Sequence, residues 1–100
     1  MDYDIQTAGN MATVTLKGRF TFADNKLIRE VLGQFNSTVN NCTMDIGQLE
    51  FIDSAGLGML ILANDTIAEL GGKYVLCHPN GQVKKMLDLT RFADIITVEE

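Results

Sequence analysis

Two different hydrophobic periods constrain the fold of this chain more than any other feature. From Met11 to Lys17, apolar and polar residues alternate one by one, which indicates a strand with one buried face. Between residues 24 and 35 the apolar residues recur at helical spacing instead. Strand-like and helix-like segments that alternate over short connections predict an α/β domain.

The same pattern continues along the chain and predicts the order β-β-α-β-α-β-α-β in a single domain over residues 1–100. The predicted strands are Asp4–Thr7, Met11–Lys17, Cys42–Ile46, Lys73–Cys77 and Ile95–Val98, and the predicted helices lie at Leu27–Phe35, Ala55–Leu70 and Val83–Leu89. Gly18 is expected to end the second strand. Because helices separate most of the strands, we expect a mixed sheet with the helices mainly on one side.

Charge and hydropathy exclude several classes of partner. The net charge of -5 at pH 7 and the scattered basic residues argue against binding to nucleic acid or to an anionic membrane. The longest apolar run, Met59–Ala63, is too short to insert across a bilayer. The acidic start Met1–Asp4 does not resemble a secretory signal peptide. A cytoplasmic location is therefore predicted.

The sequence gives no positive signal for a metal or a cofactor. Cys42 and Cys77 stand singly in strand-like stretches, so both are expected to be reduced and buried thiols. With His78 they show no ligand-pair spacing, and neighbouring residues on one strand should face opposite ways. Ile61 occupies the position of the third glycine in a dinucleotide-binding fingerprint, which the sequence therefore lacks.

The stretch from Phe51 to Gly58 is the most informative motif. Asp53 and Ser54 are residue types that favour a helix start. Gly56 and Gly58 follow inside the first turns, where each glycine costs about 1 kcal/mol relative to alanine. The pattern predicts close approach of another group to the backbone beside Ser54. A helix N-terminus also tolerates a phosphate, because its free N–H groups and dipole favour negative charge.

The chain contains the motif Asp53-Ser54-Ala55-Gly56-Leu57-Gly58, followed by Gly71-Gly72 and by Val83–Leu87. With these segments it resembles the STAS domain, a family of sulfate transporters and anti-sigma factor antagonists. In stand-alone bacterial members, the serine or threonine after the aspartate is the phosphorylation site, and by position this is Ser54. The resemblance implies two partners: a GHKL-type serine kinase, which in this family is often itself the anti-sigma factor, and a PP2C-type phosphatase. The unphosphorylated antagonist would capture the kinase and free the sigma factor.

This chain departs from its relatives at two positions near the motif. Ala55 stands where many relatives have a second serine, so Ser54 is the only hydroxyl candidate in the motif. Thr21 stands where relatives often carry an aspartate after the second strand. The first departure makes Ser54 the expected phospho-acceptor of the motif, and the second bears on which kinase is the partner.

A docking surface is expected around Ser54. On a helical projection, Gly58, Asp65, Thr66 and Glu69 fall in one polar arc that also contains Leu62. We hypothesise that Leu62 and Met59 flank the partner site, since an apolar residue on a polar arc suits a dry interface centre. Asp53 would orient the turn and set the local charge, while Gly56 and Gly58 would allow close approach.

Several alternatives accompany this interpretation. Ser54 could act only as a helix cap. A serine hydrolase is disfavoured, because Ile52 stands where the nucleophile elbow needs a small residue and the only imidazole is His78, beside Pro79; no enzyme is predicted. A STAS adaptor without sigma-factor output is the main alternative function. Such an adaptor could be a subunit of a lipid-transport complex or a partner in chemotaxis, secretion or biofilm control. A small-ligand or nucleotide-binding STAS module is a third.

Overall fold

The computed structural model describes residues 1–100 and contains five strands, three helices and two 3₁₀ turns. The strands are β1 (Asp2–Ala8), β2 (Met11–Phe20), β3 (Asn41–Ile52), β4 (Tyr74–Cys77) and β5 (Thr97–Glu99); the helices are α1 (Asn25–Leu32), α2 (Ser54–Glu69) and α3 (Gly81–Leu89); the 3₁₀ turns are Phe22–Asp24 and Phe92–Asp94. The predicted order β-β-α-β-α-β-α-β is confirmed. None of the helices has the length and hydropathy needed to span a membrane.

The five strands form one mixed sheet in the order β1-β2-β3-β4-β5. β1 runs antiparallel to β2 through a two-residue turn in which Ala8 pairs with Met11. The other neighbours pair in parallel, and one helix connects each parallel pair. This arrangement confirms the predicted α/β fold with a mixed sheet.

The hydrophobic core lies on one face of the sheet. In β3, Cys42, Met44 and Ile46 are buried, whereas the intervening Thr43 and Asp45 stay partly exposed. The helices pack on the buried face, and α2 supplies the largest share of their buried residues. Its fully buried members are Leu60, Ala63 and Ile67. The helices therefore lie mainly on one side, as expected, and the opposite face remains partly open.

β2 and β3 both extend beyond their predicted ends. The prediction that Gly18 ends β2 is wrong, because the strand continues to Phe20 with Gly18 at φ +91°. The pairing register shifts between Thr15 and Lys17 and again between Gly18 and Arg19, and β3 contributes the additional residue each time. Such bulges bend a strand without ending it. The extension places Phe20 opposite Ile52, directly before the segments that carry the motif.

The two cysteines occupy different environments. Cys42 is buried as predicted, but Cys77 is partly exposed on the open face of the sheet, so that prediction is wrong for Cys77. Burial raises the pKa of the Cys42 thiol to about 12. Partial burial also raises the pKa of the Cys77 thiol, with a further contribution from the carboxylates of Asp45 and Glu99. Both thiols are free.

Thiol labelling tests this difference. At pH 8 we expect iodoacetamide to modify Cys77 slowly and to leave Cys42 unmodified, because the buried thiol is both inaccessible and protonated. In denaturant both thiols should react. Peptide mass spectrometry assigns the labelled residue, and rapid native labelling of Cys42 would contradict the described core.

Candidate functional site

The ends of β2 and β3 bring two loop segments together at the start of α2. The backbone N–H of Asp53 donates to the Phe20 carbonyl at 3.2 Å, so the chain leaves the sheet with both segments side by side. Asp53 itself is extended and is the N-cap of α2. Its Oδ1 accepts from the Gly56 N–H at 2.7 Å, and its Oδ2 accepts from the Phe22 N–H at 3.3 Å. One carboxylate therefore orients both the helix start and the turn after β2.

Ser54 is the first residue of α2 and is exposed. The capping bond is made by Asp53, and the Ser54 hydroxyl has no hydrogen-bond partner within the chain. The alternative that Ser54 acts only as the helix cap is therefore wrong. The hydroxyl lies free at a helix N-terminus, where the helix dipole favours added negative charge.

The two glycines of the motif have different roles. A Cβ on Gly56 would lie 2.7 Å from the Phe20 carbonyl oxygen and 2.6 Å from Ile52 Cγ1. The close approach at Gly56 is therefore made by the protein's own strands, and the expectation that Gly56 contacts a partner is corrected. Gly58 is exposed, and a Cβ there would meet no atom within 4 Å. The fold leaves the space beside Gly58 open.

The predicted docking residues divide between the surface and the core. Leu62 lies one turn beyond Gly58 and is half-buried, with Asp65 exposed on the same side of α2. Met59 is only 6% exposed and belongs to the hydrophobic core. Its expected place beside the partner site is therefore corrected, because its side chain is packed in the core. Leu62 remains as the apolar residue of the arc.

The sequence interpretation missed Phe22 at this site. Phe22 is 74% exposed, and its N–H bond to Asp53 holds it beside the first turn of α2. The alternation of Phe20 and Phe22 favours burial of both rings, but β2 ends at Phe20 and Phe22 begins a 3₁₀ turn, which breaks the alternation. We define the docking surface as Phe22, Ser54, Gly58 and Leu62.

A second cluster of reactive side chains lies on the open face of the sheet. The prediction that Cys77 and His78 face opposite ways is wrong, because His78 follows the last residue of β4 with φ +62° and breaks the strand alternation. One ligand atom from each of Asp45, Cys77 and His78 lies within 4.8 Å of the other two. Carboxylate, thiol and imidazole are all side chains that bind metal ions in proteins.

The cavity of the structure lies between α3 and β5 and has a volume of about 110 Å³. Leu87, Asp88 and Val98 are among its lining residues, and none of the docking-surface residues adjoins it. Pockets for small molecules usually measure about 300–1,000 Å³. The cavity therefore gives no support to the small-ligand interpretation.

The fold and the site define a STAS domain. The family model for the STAS domain matches residues 2–100, and the chain belongs to this family. A STAS-domain containing protein of Pseudomonas aeruginosa is 24% identical over 90 residues, which are 90% of this chain and 89% of that protein. BtrV of Bordetella bronchiseptica, a proposed anti-sigma factor antagonist, is 27% identical over 73% of this chain and 63% of its own length.

Solved structures support the same fold. A proposed anti-sigma factor antagonist from Thermotoga maritima superposes with a TM-score of 0.85 at 19% identity, over 98% of this chain and 86% of that one. The anti-sigma factor antagonist SpoIIAA in its unphosphorylated form gives 0.73 at 16% identity, over 99% and 88%. The chain therefore has the STAS fold found in anti-sigma factor antagonists.

Alanine substitutions at the two glycines test the division between core and surface. Gly56→Ala should destabilise the protein by roughly 1–3 kcal/mol, because the Phe20 carbonyl cannot move away without shifting β2. Gly58→Ala should stabilise it by about 1 kcal/mol, since the site is open and alanine favours a helix. Urea unfolding measures both, and equal effects would contradict the assigned packing.

Proposed function

We propose that this protein is an anti-sigma factor antagonist whose docking to its partner is controlled by phosphorylation of Ser54. In the unphosphorylated state it binds a GHKL-type serine kinase that also serves as the anti-sigma factor. Phosphorylation releases this partner, and a PP2C-type phosphatase restores binding. The protein acts by docking in the cytoplasm and carries out no catalysis of its own.

One observation carries this proposal. The Ser54 hydroxyl is exposed and unbonded, because Asp53 already caps the helix. A kinase can therefore reach the hydroxyl without opening the fold. Substrate hydroxyls that are buried or engaged in capping bonds would first require local unfolding.

The position of Ser54 also explains how a phosphate could alter binding and leave the fold intact. A phosphate adds about -1.5 to -2 charges and three acceptor oxygens. At the first residue of α2 the helix dipole stabilises this charge. The same charge lies on the docking surface that contains the apolar residues Phe22 and Leu62, and burying it in an interface would carry a large desolvation penalty.

The names of the relatives support the regulatory class. BtrV is a proposed anti-sigma factor antagonist, and SpoIIAA is an anti-sigma factor antagonist described in an unphosphorylated form.

The charge around the docking surface indicates which residue types the partner should present. Asp53 lies beside Phe22, and Asp65 and Glu69 lie on the same side of α2 as Leu62, so a complementary partner presents basic groups next to an apolar centre.

Intact mass spectrometry tests the phosphorylation site. The protein is incubated with ATP and a lysate of its source organism, and the wild type is compared with Ser54→Ala. We expect one added phosphate on the wild type and none on the variant. Ser37→Ala is the matched control, because Ser37 is the only other serine and is also exposed.

The other outcomes are equally informative. A phosphate on Ser54→Ala would show that Ser54 is not the phosphorylated residue. No phosphate on either protein would contradict the switch and favour a constitutive STAS adaptor. A phosphate lost in Ser37→Ala and kept in Ser54→Ala would move the acceptor to the loop between α1 and β3.

Partner binding tests the docking surface. Phe22→Ala and Leu62→Asp should each weaken binding of the kinase by about 10- to 100-fold, because apolar interface centres contribute most of the affinity. Phe22 is largely exposed, so its variant should keep the wild-type stability. Leu89→Asp is the matched control for Leu62→Asp, since Leu89 is 73% exposed on α3. Unchanged affinity in both docking variants would contradict the surface.

A further inference from the structure

The open face of the sheet brings three different metal-binding side chains together. Asp45 lies on β3, opposite Cys77 on β4, and His78 follows directly after β4. The carboxylate and the thiol are partly exposed and the imidazole is exposed, so solvent can deliver an ion. None of the three belongs to the docking surface beside Ser54.

The distances suit a small tetrahedral ion. His78 Nδ1 and Asp45 Oδ2 lie 3.2 Å apart. Zinc bonds of about 2.0–2.2 Å to nitrogen and oxygen place such ligands about 3.3 Å apart across a tetrahedral edge. The Cys77 sulfur lies within 4.8 Å of one ligand atom of Asp45 and one of His78. A movement of about 1 Å brings it to a zinc–sulfur bond length of about 2.3 Å.

The backbone around the cluster holds its members in place. The Gly47 N–H donates to Asp45 Oδ1 at 2.9 Å, which leaves Oδ2 for a second partner. A Cβ on Gly47 would lie 3.1 Å from both Asp45 Oδ1 and His78 Cβ, so glycine makes room for the two side chains to meet. The His78 N–H donates to the Glu99 carbonyl, and the Asn80 side chain donates to the carbonyls of Gly47 and His78.

The charge around the thiol favours a cation. Asp45 and Glu99 flank Cys77 on the neighbouring strands, and no lysine or arginine pairs with any member of the cluster. A thiolate, an imidazole and a carboxylate are together typical of zinc and related transition metals, whereas magnesium and calcium prefer oxygen ligands alone.

We propose that Asp45, Cys77 and His78 form a binding site for a divalent transition metal, with Zn²⁺ as the preferred ion. Asp45 Oδ2, Cys77 Sγ and His78 Nδ1 are the three protein ligands, and water completes the coordination. Binding replaces the thiol proton of Cys77, which passes to solvent, and the direct contact between His78 Nδ1 and Asp45 Oδ2. The imidazole binds as the neutral tautomer that carries its proton on Nε2. The site is independent of the proposed switch at Ser54.

Cobalt absorption tests the site directly. Co²⁺ is titrated into the full chain in the presence of a phosphine reductant. We expect saturation at one ion per chain with sulfur-to-cobalt charge-transfer absorption in the near ultraviolet, and Zn²⁺ should displace the cobalt. Cys77→Ser should abolish the charge-transfer band. His78→Gln and Asp45→Asn should weaken binding by at least about tenfold.

Cys42→Ala is the matched control, because it removes the other thiol and leaves the cluster intact. It should keep the charge-transfer band. In parallel, Zn²⁺ should raise the unfolding temperature of the wild type and of Cys42→Ala, since an ion that binds only the folded state stabilises it. The proposal is overturned if the wild type shows no charge-transfer band, if Cys77→Ser retains it, or if Zn²⁺ raises the unfolding temperature of Cys77→Ser as much as that of the wild type.

Discussion

The carboxylate of Asp53 holds the candidate site together. Its two oxygens accept from the N–H groups of Gly56 and Phe22, and thereby join the first turn of α2 to the turn after β2. Because Asp53 takes the capping role, the hydroxyl of Ser54 stays free. Removing the carboxylate would release both attachments at once. The exposed ring of Phe22 and the exposed hydroxyl therefore depend on the same side chain.

Much of the fold follows from hydrophobic period and turn residues. The alternation in β2 and the start of α2 at Asp53-Ser54 were both visible in the sequence, since period and capping chemistry are local properties. The burial of Met59 was not, because the apolar residues of α2 are not confined to one side of the helix, and the choice of its buried face depends on the sheet. The internal contact of Gly56 was hidden for the same reason: it is made with β2, which lies far away in the sequence.

The open face of the sheet shows the other limit of sequence reasoning. The cluster of Asp45, Cys77 and His78 depends on the additional residue that β3 contributes near Gly47 and on the left-handed backbone of His78. Neither feature is encoded by strand alternation, which predicts opposite directions for Cys77 and His78. The helix-covered face of the sheet follows the periodic pattern, whereas the open face is shaped by local departures from it.

The most direct test of the central claim compares two forms of the protein, one unmodified and one with phosphoserine installed at position 54 by genetic code expansion. Calorimetry measures their affinities for the isolated kinase partner, and thermal unfolding measures their stabilities. The account predicts that phosphoserine lowers the affinity by more than about tenfold, equivalent to 1.4 kcal/mol, while the unfolding temperature changes little. Equal affinities, or a loss of affinity accompanied by unfolding of the domain, would contradict it.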